Sequence, residues 1–337
     1  MKNLLTDIVG IRVGHAHDAR LATGTTAILF ENPAVVSVDT YGGSGEREHA
    51  LLDLASTVER VDAITLSGGS SFGLDACSGV QAWLAEQNRG FRYHDAVIPI
   101  VPGAVLFDLN NGNDNTWGRF PPYRDLGYAA AAAASSECAL GSVGAGLGAT
   151  TANFKGGVGS ASAITRGGLV VAALVIVNAM GSVTVGRGPW FWAAPFEVNG
   201  EFGGCGQPPE FTQEMFDICI KASSVDAALE STTIGLVATD AVLTRAQAKG
   251  LARTAQAGFA RALYPIDAMQ EGACFFSAAT CEKSVDSQAD LLEIGAVAAN
   301  VTARAIARAI YNATALPFDN AQPAWGDRFP RYGTVMV

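Results

Sequence analysis

The sequence predicts an α/β protein built from sheets that helices cover on both sides. Strand-like and helix-like segments alternate along the chain, and the helical segments come in two pairs, each joined to strong strands. Hydrophobic residues make up 49% of the 337 residues, which is enough for one large core. Because no linker, repeat or low-complexity segment divides the chain, we expect a single domain spanning residues 1–337.

The first half of the chain contains the predicted elements that are easiest to recognise. Residues 25–30 and 34–40 are predicted strands, and residues 62–71 form a predicted strand that ends in a glycine turn. Apolar residues at helical spacing follow that turn, so a helix is expected there. The alanine-rich segment 126–139 predicts a second helix, and residues 141–163 form a glycine-dense loop region.

The second half begins with long apolar runs. Residues 168–185 (GLVVAALVIVNAMGSVTV) have the composition of a hairpin of two buried strands. Residues 230–240 (ESTTIGLVATD) read as another core strand, which begins with hydroxyl side chains. Thr244 and Gln247 form a capping-box pair at the start of the next helix, and residues 287–313 predict the last long helix.

Charge and hydropathy exclude several classes of protein. The net charge of −10 at pH 7 argues against nucleic acids and anionic membranes as partners. No uninterrupted apolar run reaches the ~18 residues of a membrane span, and the N-terminus lacks the pattern of a signal peptide. A cytoplasmic protein is the expectation.

Cysteine and histidine spacing predicts no metal site. The six cysteines include no CxxC pair and the four histidines form no HExxH motif, so neither a metal nor a cofactor is expected. His15, His17, His49 and His94 are interpreted as surface or turn residues. The cysteines are interpreted as small buried groups in a reducing compartment.

The glycine turn LSGGSSFG (66–73) has two interpretations. A glycine turn that opens a helix after a strand can hold phosphate on its free backbone N–H groups. This turn lacks both the lysine of a P-loop and the GxGxxG spacing of dinucleotide-binding proteins, so a tight strand–helix connection is preferred. A glycine-loop ligand-binding protein without catalytic activity remains an alternative.

The hydroxyl residues at positions 231–233 suggest a specific chemistry. A chain-terminal Thr, Ser or Cys can use its own α-amine, with a pKa near ~8, as the general base for its side chain. Such a terminus arises when the chain is cut beside the nucleophile. A hydroxyl residue at the start of a core strand, between two glycine-rich halves, meets that requirement, although an ordinary strand is the competing interpretation.

Six ordered motifs resemble one known family. They are TDIVGIRVGHAHDARLATGTTAILF, LSGGSSFGLDACSGVQAWLAEQNRGF, IPIVPGAVLFDL, KGGVGSAS, VIVNAMGSV and STTIGLVATDAVLTRAQAKGLA, which lie within residues 6–252 of a likeness that runs in order from about residue 6 to residue 313. They resemble the DmpA-type aminopeptidases (L-aminopeptidase/D-esterase-amidase, peptidase family S58), which include β-peptidyl aminopeptidases and nylon-oligomer hydrolases. The resemblance implies a four-layer αββα sandwich of the N-terminal-nucleophile-hydrolase type. It also implies a precursor that cuts itself into two chains that stay together.

The resemblance also assigns roles to individual residues. The family cuts before the first threonine of Asn-Thr-Thr-Ile-Gly, which matches Ser231 to Gly235 here, so Thr232 is the implied nucleophile and the products are chains 1–231 and 232–337. Asn178, in VIVNAMGSV, is the implied oxyanion donor. Glu271 is implied to hold the new α-ammonium or the nucleophile's hydroxyl.

Two further residues are assigned supporting roles by the same resemblance. Lys155 matches a common family position and is a candidate anchor for the glycine loop or the acid, and Thr233 is a possible supporting residue. A cut before Ser231 or before Thr233, one residue to either side, is the alternative cleavage position.

The chain departs from the family pattern at four positions. Ser231 replaces the usual Asn or Gly before the cut, and Phe107 replaces a tyrosine that assists the oxyanion in some members. Met269 and Ala273 stand where relatives carry further acidic or hydroxyl groups. The acidic network is therefore expected to be thinner, which leaves the efficiency and the preferred substrate open.

The expected function is hydrolysis of short peptides, amides or esters by release of their N-terminal residue, without a cofactor. An acyltransferase of the ornithine acetyltransferase type, which passes the acyl group to an amine, is the alternative. The family resemblance and a proline- and aromatic-rich tail from residue 314, expected to wrap the surface or a neighbouring subunit, predict a homo-oligomer, namely a tetramer of processed protomers.

Overall fold

The computed structural model describes residues 1–43, 45–110, 114–221, 231–266, 272–319 and 321–330. The strands within these ranges are β1 (Ile11–Asp18), β2 (Thr23–Tyr41), β3 (Gly45–Arg47), β4 (Val61–Ser67), β5 (Phe91–Tyr93), β6 (Ala96–Ile98), β7 (Gly103–Val105), β8 (Gly157–Ile164), β9 (Val170–Val177), β10 (Thr232–Ala241) and β11 (Gly272–Lys283). The α-helices are α1 (Ala76–Glu86), α2 (Tyr123–Ala132), α3 (Arg245–Ala255), α4 (Gln288–Tyr311) and α5 (Trp325–Arg328). Among the described residues, no helix is both long and apolar enough to cross a membrane.

Strand β2 connects two sheet layers. Its first half pairs with β1 and β4, and its second half pairs with β11, so the hydrogen-bonded order is β3-β7-β4-β2-β11-β10-β9-β8 with β1 attached to β2. Between the halves lie the exposed residues 31–33, which include Pro33. A proline has no N–H for the ladder, and the pairing with β4 shifts its register at this point. The strand therefore passes from one layer to the other here.

Three apolar clusters fill the spaces between four layers. One lies between the two sheets and contains Ile28, Ile64, Ile176 and Ile234. A second lies between α3 and α4 and the outer face of β8 to β11, and a third lies between α1 and α2 and the outer face of β2 and β4. The prediction of sheets covered on both sides, and of an αββα sandwich, is confirmed.

The predicted hairpin at residues 168–185 is wrong in its second strand. Only β9 forms in this stretch, and its hairpin partner is β8, which lies in the segment predicted as a glycine-dense loop. Gly159 explains the difference, because a Cβ atom there would lie 1.8 Å from the carbonyl oxygen of Ala305 in α4. The glycines of β8 serve close packing of a helix on a strand rather than turns.

Helix α2 is shorter at its C-terminus than the alanine-rich segment 126–139 predicts. It begins at Tyr123, directly after Pro122, and ends at Ala132. Beyond it, the backbone of Ser135 exchanges two hydrogen bonds with Val13 of β1, at 3.0 and 3.1 Å. A further helical turn would remove these bonds, so the contact with β1 ends the helix.

The remaining helices agree with the sequence more closely. The capping box of Thr244 and Gln247 at the start of α3 is present, and α4 begins after a similar box at Ser287. The described part of the tail packs on its own chain, because Trp325 is fully buried in the cluster under α4.

Candidate active site

The peptide bond between Ser231 and Thr232 is held from both sides. Its N–H, on Thr232, donates to the carbonyl oxygen of Asn178 at 3.0 Å, and its carbonyl oxygen, on Ser231, accepts from the N–H of Gly272 at 3.1 Å. This follows from the position of β10, which pairs antiparallel with β9 and parallel with β11. The bond is therefore fixed at the N-terminal end of β10, between β9 and β11.

The hydroxyl side chains around this bond are all buried. Exposure is 2% for Ser231, 5% for Thr232 and 1% for Thr233. Within the described ranges, the hydroxyls of Ser231 and Thr233 have no hydrogen-bond partner. Buried hydroxyls without partners are uncommon in folded proteins, and two of them flank Thr232.

Thr232 and Asn178 belong to the same face of their sheet. Side chains alternate between faces along a strand. The even-numbered residues Ile234 and Leu236 of β10 face the space between the sheets, as does Ile176 of β9. Continuing that alternation places the Thr232 and Asn178 side chains towards the inter-sheet space and Thr233 towards the helices.

Hydrogen bonds from several segments fix the orientation of the Asn178 amide. Its Oδ1 accepts from the Thr150 N–H at 3.0 Å and from Lys221 Nζ at 2.8 Å, and its Nδ2 donates to the Phe107 carbonyl at 2.9 Å. The residue is fully buried. The amide thus joins the glycine-dense loop, the β7 segment and the residues that precede β10.

Lys155 lies under the glycine-dense loop and is fully buried. Its ammonium donates to the carbonyl oxygens of Gly146, Ala149 and Gly156 at 2.8 to 2.9 Å. Burial lowers the pKa of Lys155 to about 7, against the opposing effect of the Asp108 charge. The contacts place it as a support for the loop that presents the Thr150 N–H to Asn178.

Asp108 is a buried acid that sequence reasoning missed. Its carboxylate accepts from the Thr23 hydroxyl and from the Gly69 N–H, both at 2.7 Å. Burial raises the pKa of Asp108 to about 6. Asp108 directly follows Phe107, so it fixes the backbone that holds the Asn178 amide. An acid directly after the apolar run AVLF was the available signal.

The glycine turn 66–73 contributes to the hydrogen bonding of the Asp108 carboxylate. Gly69 has a φ of 85° and directs its N–H at Asp108, and a Cβ at Gly68 would lie 2.1 Å from the Asp108 carboxylate. These glycines allow the backbone to approach a buried acid closely. The turn connects β4 to α1 through a 3-10 segment, Ser70–Asp75.

Two histidines are placed differently from their interpretation as surface or turn residues. His15 lies in β1, and burial lowers its pKa to about 4. The side chain of His49 is only 16% exposed and contacts Glu46 and Cys274. His17, in β1, and His94 are exposed as expected. Glu271 and Met269 lie outside the described residues.

A cavity of about 460 Å³ has a described lining that includes neither Thr232 nor Asn178. Its wall includes Asn153 and Cys219, and both positions lie close in sequence to groups that bind around Asn178. The Ala152 N–H donates to Gly181 O at 3.2 Å, and the Lys221 N–H donates to Met180 O at 2.9 Å. The charged residues of the wall are Arg187, Glu214, Asp217 and Arg328.

Comparison with solved structures supports the fold. The β-aminopeptidase of Burkholderia sp. superposes with a TM-score of 0.70 at 20% identity, covering 99% of this chain and 95% of that one. The L-aminopeptidase D-Ala-esterase/amidase of Ochrobactrum anthropi, described as a variant of the Ntn hydrolase fold, gives 0.71 at 20% identity, covering 98% and 95%. The chain therefore has this fold.

Sequence comparison gives the family. An uncharacterized aminopeptidase of Mycobacterium tuberculosis (strain ATCC 25618 / H37Rv) is 38% identical over 348 residues, covering 97% of this chain and 98% of its own length. The model of peptidase family S58 matches residues 3–322. The chain belongs to peptidase family S58.

Proposed function

We propose that this protein is a self-processing hydrolase that releases N-terminal residues from short peptides, amides or esters, with Thr232 as its nucleophile. The observation that carries the proposal is the fixed peptide bond between Ser231 and Thr232, whose carbonyl already accepts from the Gly272 N–H at 3.1 Å. A donor in that position stabilises the negative charge that develops on a carbonyl oxygen under attack.

Maturation begins with attack of the Thr232 hydroxyl oxygen on the Ser231 carbonyl carbon. The C–N bond to Thr232 breaks as the C–O bond forms, and the hydroxyl proton passes to the departing amine, so the amide becomes an ester. Water then hydrolyses the ester, which leaves a carboxylate on Ser231 and restores the Thr232 hydroxyl beside a free α-amine. The residue before the cut supplies only its carbonyl, so Ser231 is compatible with the reaction.

Turnover uses the groups that maturation creates. The α-amine of Thr232 accepts the hydroxyl proton during attack on the substrate carbonyl and returns it to the leaving amine. Asn178, on the same sheet face, is the proposed donor to the oxyanion. Glu271 is proposed to hold the α-ammonium, and Lys155 holds the glycine-dense loop in place.

The cavity lined by Asn153 and Cys219 is the proposed substrate site. Its rim carries two arginines and two acidic side chains, and this mixture suits small substrates that carry both a free amine and a carboxylate. A panel of aminoacyl p-nitroanilides tests the preference for the N-terminal residue. Release of free acid without an added acceptor amine would support hydrolysis, and a requirement for the amine would favour the acyltransferase alternative.

Oligomerisation belongs to the same proposal. Trp325 of the described tail is buried within its own chain, so this side chain is not available to a neighbouring subunit. The β5–β6 hairpin does expose apolar side chains, with Phe91 at 59% and Tyr93 at 62%, and exposed apolar patches favour association. Light scattering at micromolar concentration should report an oligomer, for which we propose a tetramer, and a monomer would contradict this.

Intact-protein mass spectrometry tests the maturation step. The wild type should give chains 1–231 and 232–337, Thr232→Ala should remain one folded and inactive chain, and Thr232→Ser should still cut. Thr233→Ala is the matched control, because it removes the adjacent buried hydroxyl and should leave the cut in place. A fragment that begins elsewhere, or peptidase activity in an uncut wild type, would refute the assignment.

A further inference from the structure

We propose that Lys221 is a positioning residue that strengthens Asn178 as the donor to the oxyanion. Lys221 Nζ donates to Asn178 Oδ1 at 2.8 Å, and the Lys221 N–H donates to the Met180 carbonyl oxygen at 2.9 Å. The lysine is therefore held at both its backbone and its ammonium. This role rests on the proposed function, in which the Asn178 amide stabilises the negative charge of the transition state.

The contacts of the Asn178 side chain agree on one orientation of its amide. The Lys221 ammonium and the Thr150 N–H can only donate, and they meet Oδ1 at 2.8 and 3.0 Å. The Phe107 carbonyl can only accept, and it meets Nδ2 at 2.9 Å. Reversing the amide would place its NH₂ group against two donors. Because the amide is planar, the direction of the second Nδ2 hydrogen is fixed as well.

Lys221 adds a full positive charge to this arrangement. Thr150 and Phe107 orient the amide through neutral groups, so its orientation does not depend on the lysine alone. A cation bound to the oxygen of an amide draws electron density from the amide nitrogen, and hydrogen bonds in a chain strengthen one another in this way. The N–H groups of Asn178 are therefore stronger donors. Asn178 is fully buried, so water screens the charge only weakly.

The neighbouring Lys155 shows that this charge is not free of cost. Burial is the main cause that lowers the pKa of Lys155 to about 7, while the negative charge of Asp108 opposes it and the positive charge of Lys221 adds to it. Two ammonium groups that act on each other in this way disfavour each other's charged form. A neutral donor to Asn178 would avoid that cost, so a structural contact alone does not account for a lysine here.

The contact concerns turnover rather than the cut. Lys221 and Asn178 both precede the proposed cut, so they belong to the same product chain. In the uncut chain, the Ser231 carbonyl accepts from the Gly272 N–H, which supplies a donor for maturation without the Asn178 amide. Loss of Lys221 should therefore slow turnover and leave the cut in place.

Kinetics of lysine variants with an aminoacyl p-nitroanilide test this role. In Lys221→Met, kcat should fall by roughly 10- to 100-fold while KM changes by less than about threefold, because the charge acts on the transition state. Lys221→Arg, which keeps the charge, should be more active than Lys221→Gln, which keeps only a neutral donor. Lys249→Met removes an exposed lysine of α3 and should match the wild type. Intact-protein mass spectrometry should show that all four variants are cut.

A double-mutant cycle with Asn178→Ala tests whether Lys221 acts through Asn178. In the Asn178→Ala background, Lys221→Met should change kcat by less than about threefold, because the amide that the charge acts on is gone. Circular dichroism establishes that each variant is folded. The comparison of Lys221→Arg with Lys221→Gln serves if the double variant does not fold.

The contrary results differ for the two proposals. The role of Lys221 would be overturned by wild-type kcat in Lys221→Gln, by Lys221→Arg being no more active than Lys221→Gln, or by additive losses in the cycle. An uncut Lys221→Met chain, or an equal loss in Lys249→Met, would overturn it too. Wild-type kcat in Asn178→Ala would instead refute the assignment of Asn178 in the proposed function, and the role of Lys221 with it.

Discussion

Substitution of Asp108 by asparagine should remove one component of the pH dependence of stability. Asp108 is 3% exposed and accepts hydrogen bonds from Thr23 and Gly69. Its pKa is raised from 3.8 to about 6 because burial disfavours the charged carboxylate. Asparagine keeps the size of the side chain and an oxygen for the Gly69 N–H, but it does not titrate.

The sign and size of the effect follow from that pKa. An acid with a raised pKa holds its proton more tightly in the folded chain, so the folded state loses stability as pH rises from about 4 to about 6. The difference in pKa corresponds to about 3 kcal/mol. Between these pH values, the unfolding free energy of Asp108→Asn should therefore rise relative to the wild type by about 3 kcal/mol.

Urea unfolding at a series of pH values measures this difference. All variants are made in the Thr232→Ala background, which should remain uncut, so that a single chain unfolds in each experiment. Thr23→Val is the companion variant. It removes a hydrogen bond that lowers the pKa of Asp108, so its loss of stability with rising pH should exceed that of the parent. Equal pH dependence in Asp108→Asn and its parent would refute the reasoning.

Three further substitutions test other parts of the site and the fold. Asn178→Asp keeps the shape but loses the Nδ2 donor, so kcat should fall by roughly 10²- to 10³-fold; a fall of less than about threefold would exclude Asn178 from the oxyanion site. Lys155→Met leaves three buried carbonyls without its ammonium, and denaturant unfolding should report a loss of about 2–5 kcal/mol; an unchanged midpoint would contradict its role under the loop. Glu201→Gln leaves Arg304 as a buried cation without its carboxylate, so stability should fall by about 3–5 kcal/mol, and a change below about 1 kcal/mol would show that the pair is solvated.

The sequence was sufficient to predict the four layers but not to predict every strand within them. Local signals identified β10, because its β-branched and apolar residues favour a strand. They also identified the capping box of α3, where the Thr244 hydroxyl accepts from the Gln247 N–H. The hairpin partner of β9 was misplaced because the glycines of β8 respond to α4, a helix more than 100 residues away in sequence. Composition cannot report such a contact.

The same distinction applies to the candidate site. Thr232 and Asn178 stand in local motifs, and the fold brings their segments together. Asp108 and His49 act through partners that are distant in sequence, namely Thr23 and Cys274. A buried acid or histidine without a local motif is identified only when the chain is folded.

The place of β10 in the sheet determines what a cut before it can do. Strands β10 and β11 lie between β2 on one side and β9 on the other, so the shorter product is interleaved with the longer one. The cut would remove one covalent bond, but the hydrogen bonds of β10 with β9 and of β11 with β2 would still hold the two product chains together. The mature protein would then persist as a kinetically trapped assembly, which only the intact precursor can form. Once denatured, separated pieces would not be expected to regain that topology by mixing, so heat inactivation should be irreversible in the mature form and reversible in an uncut variant.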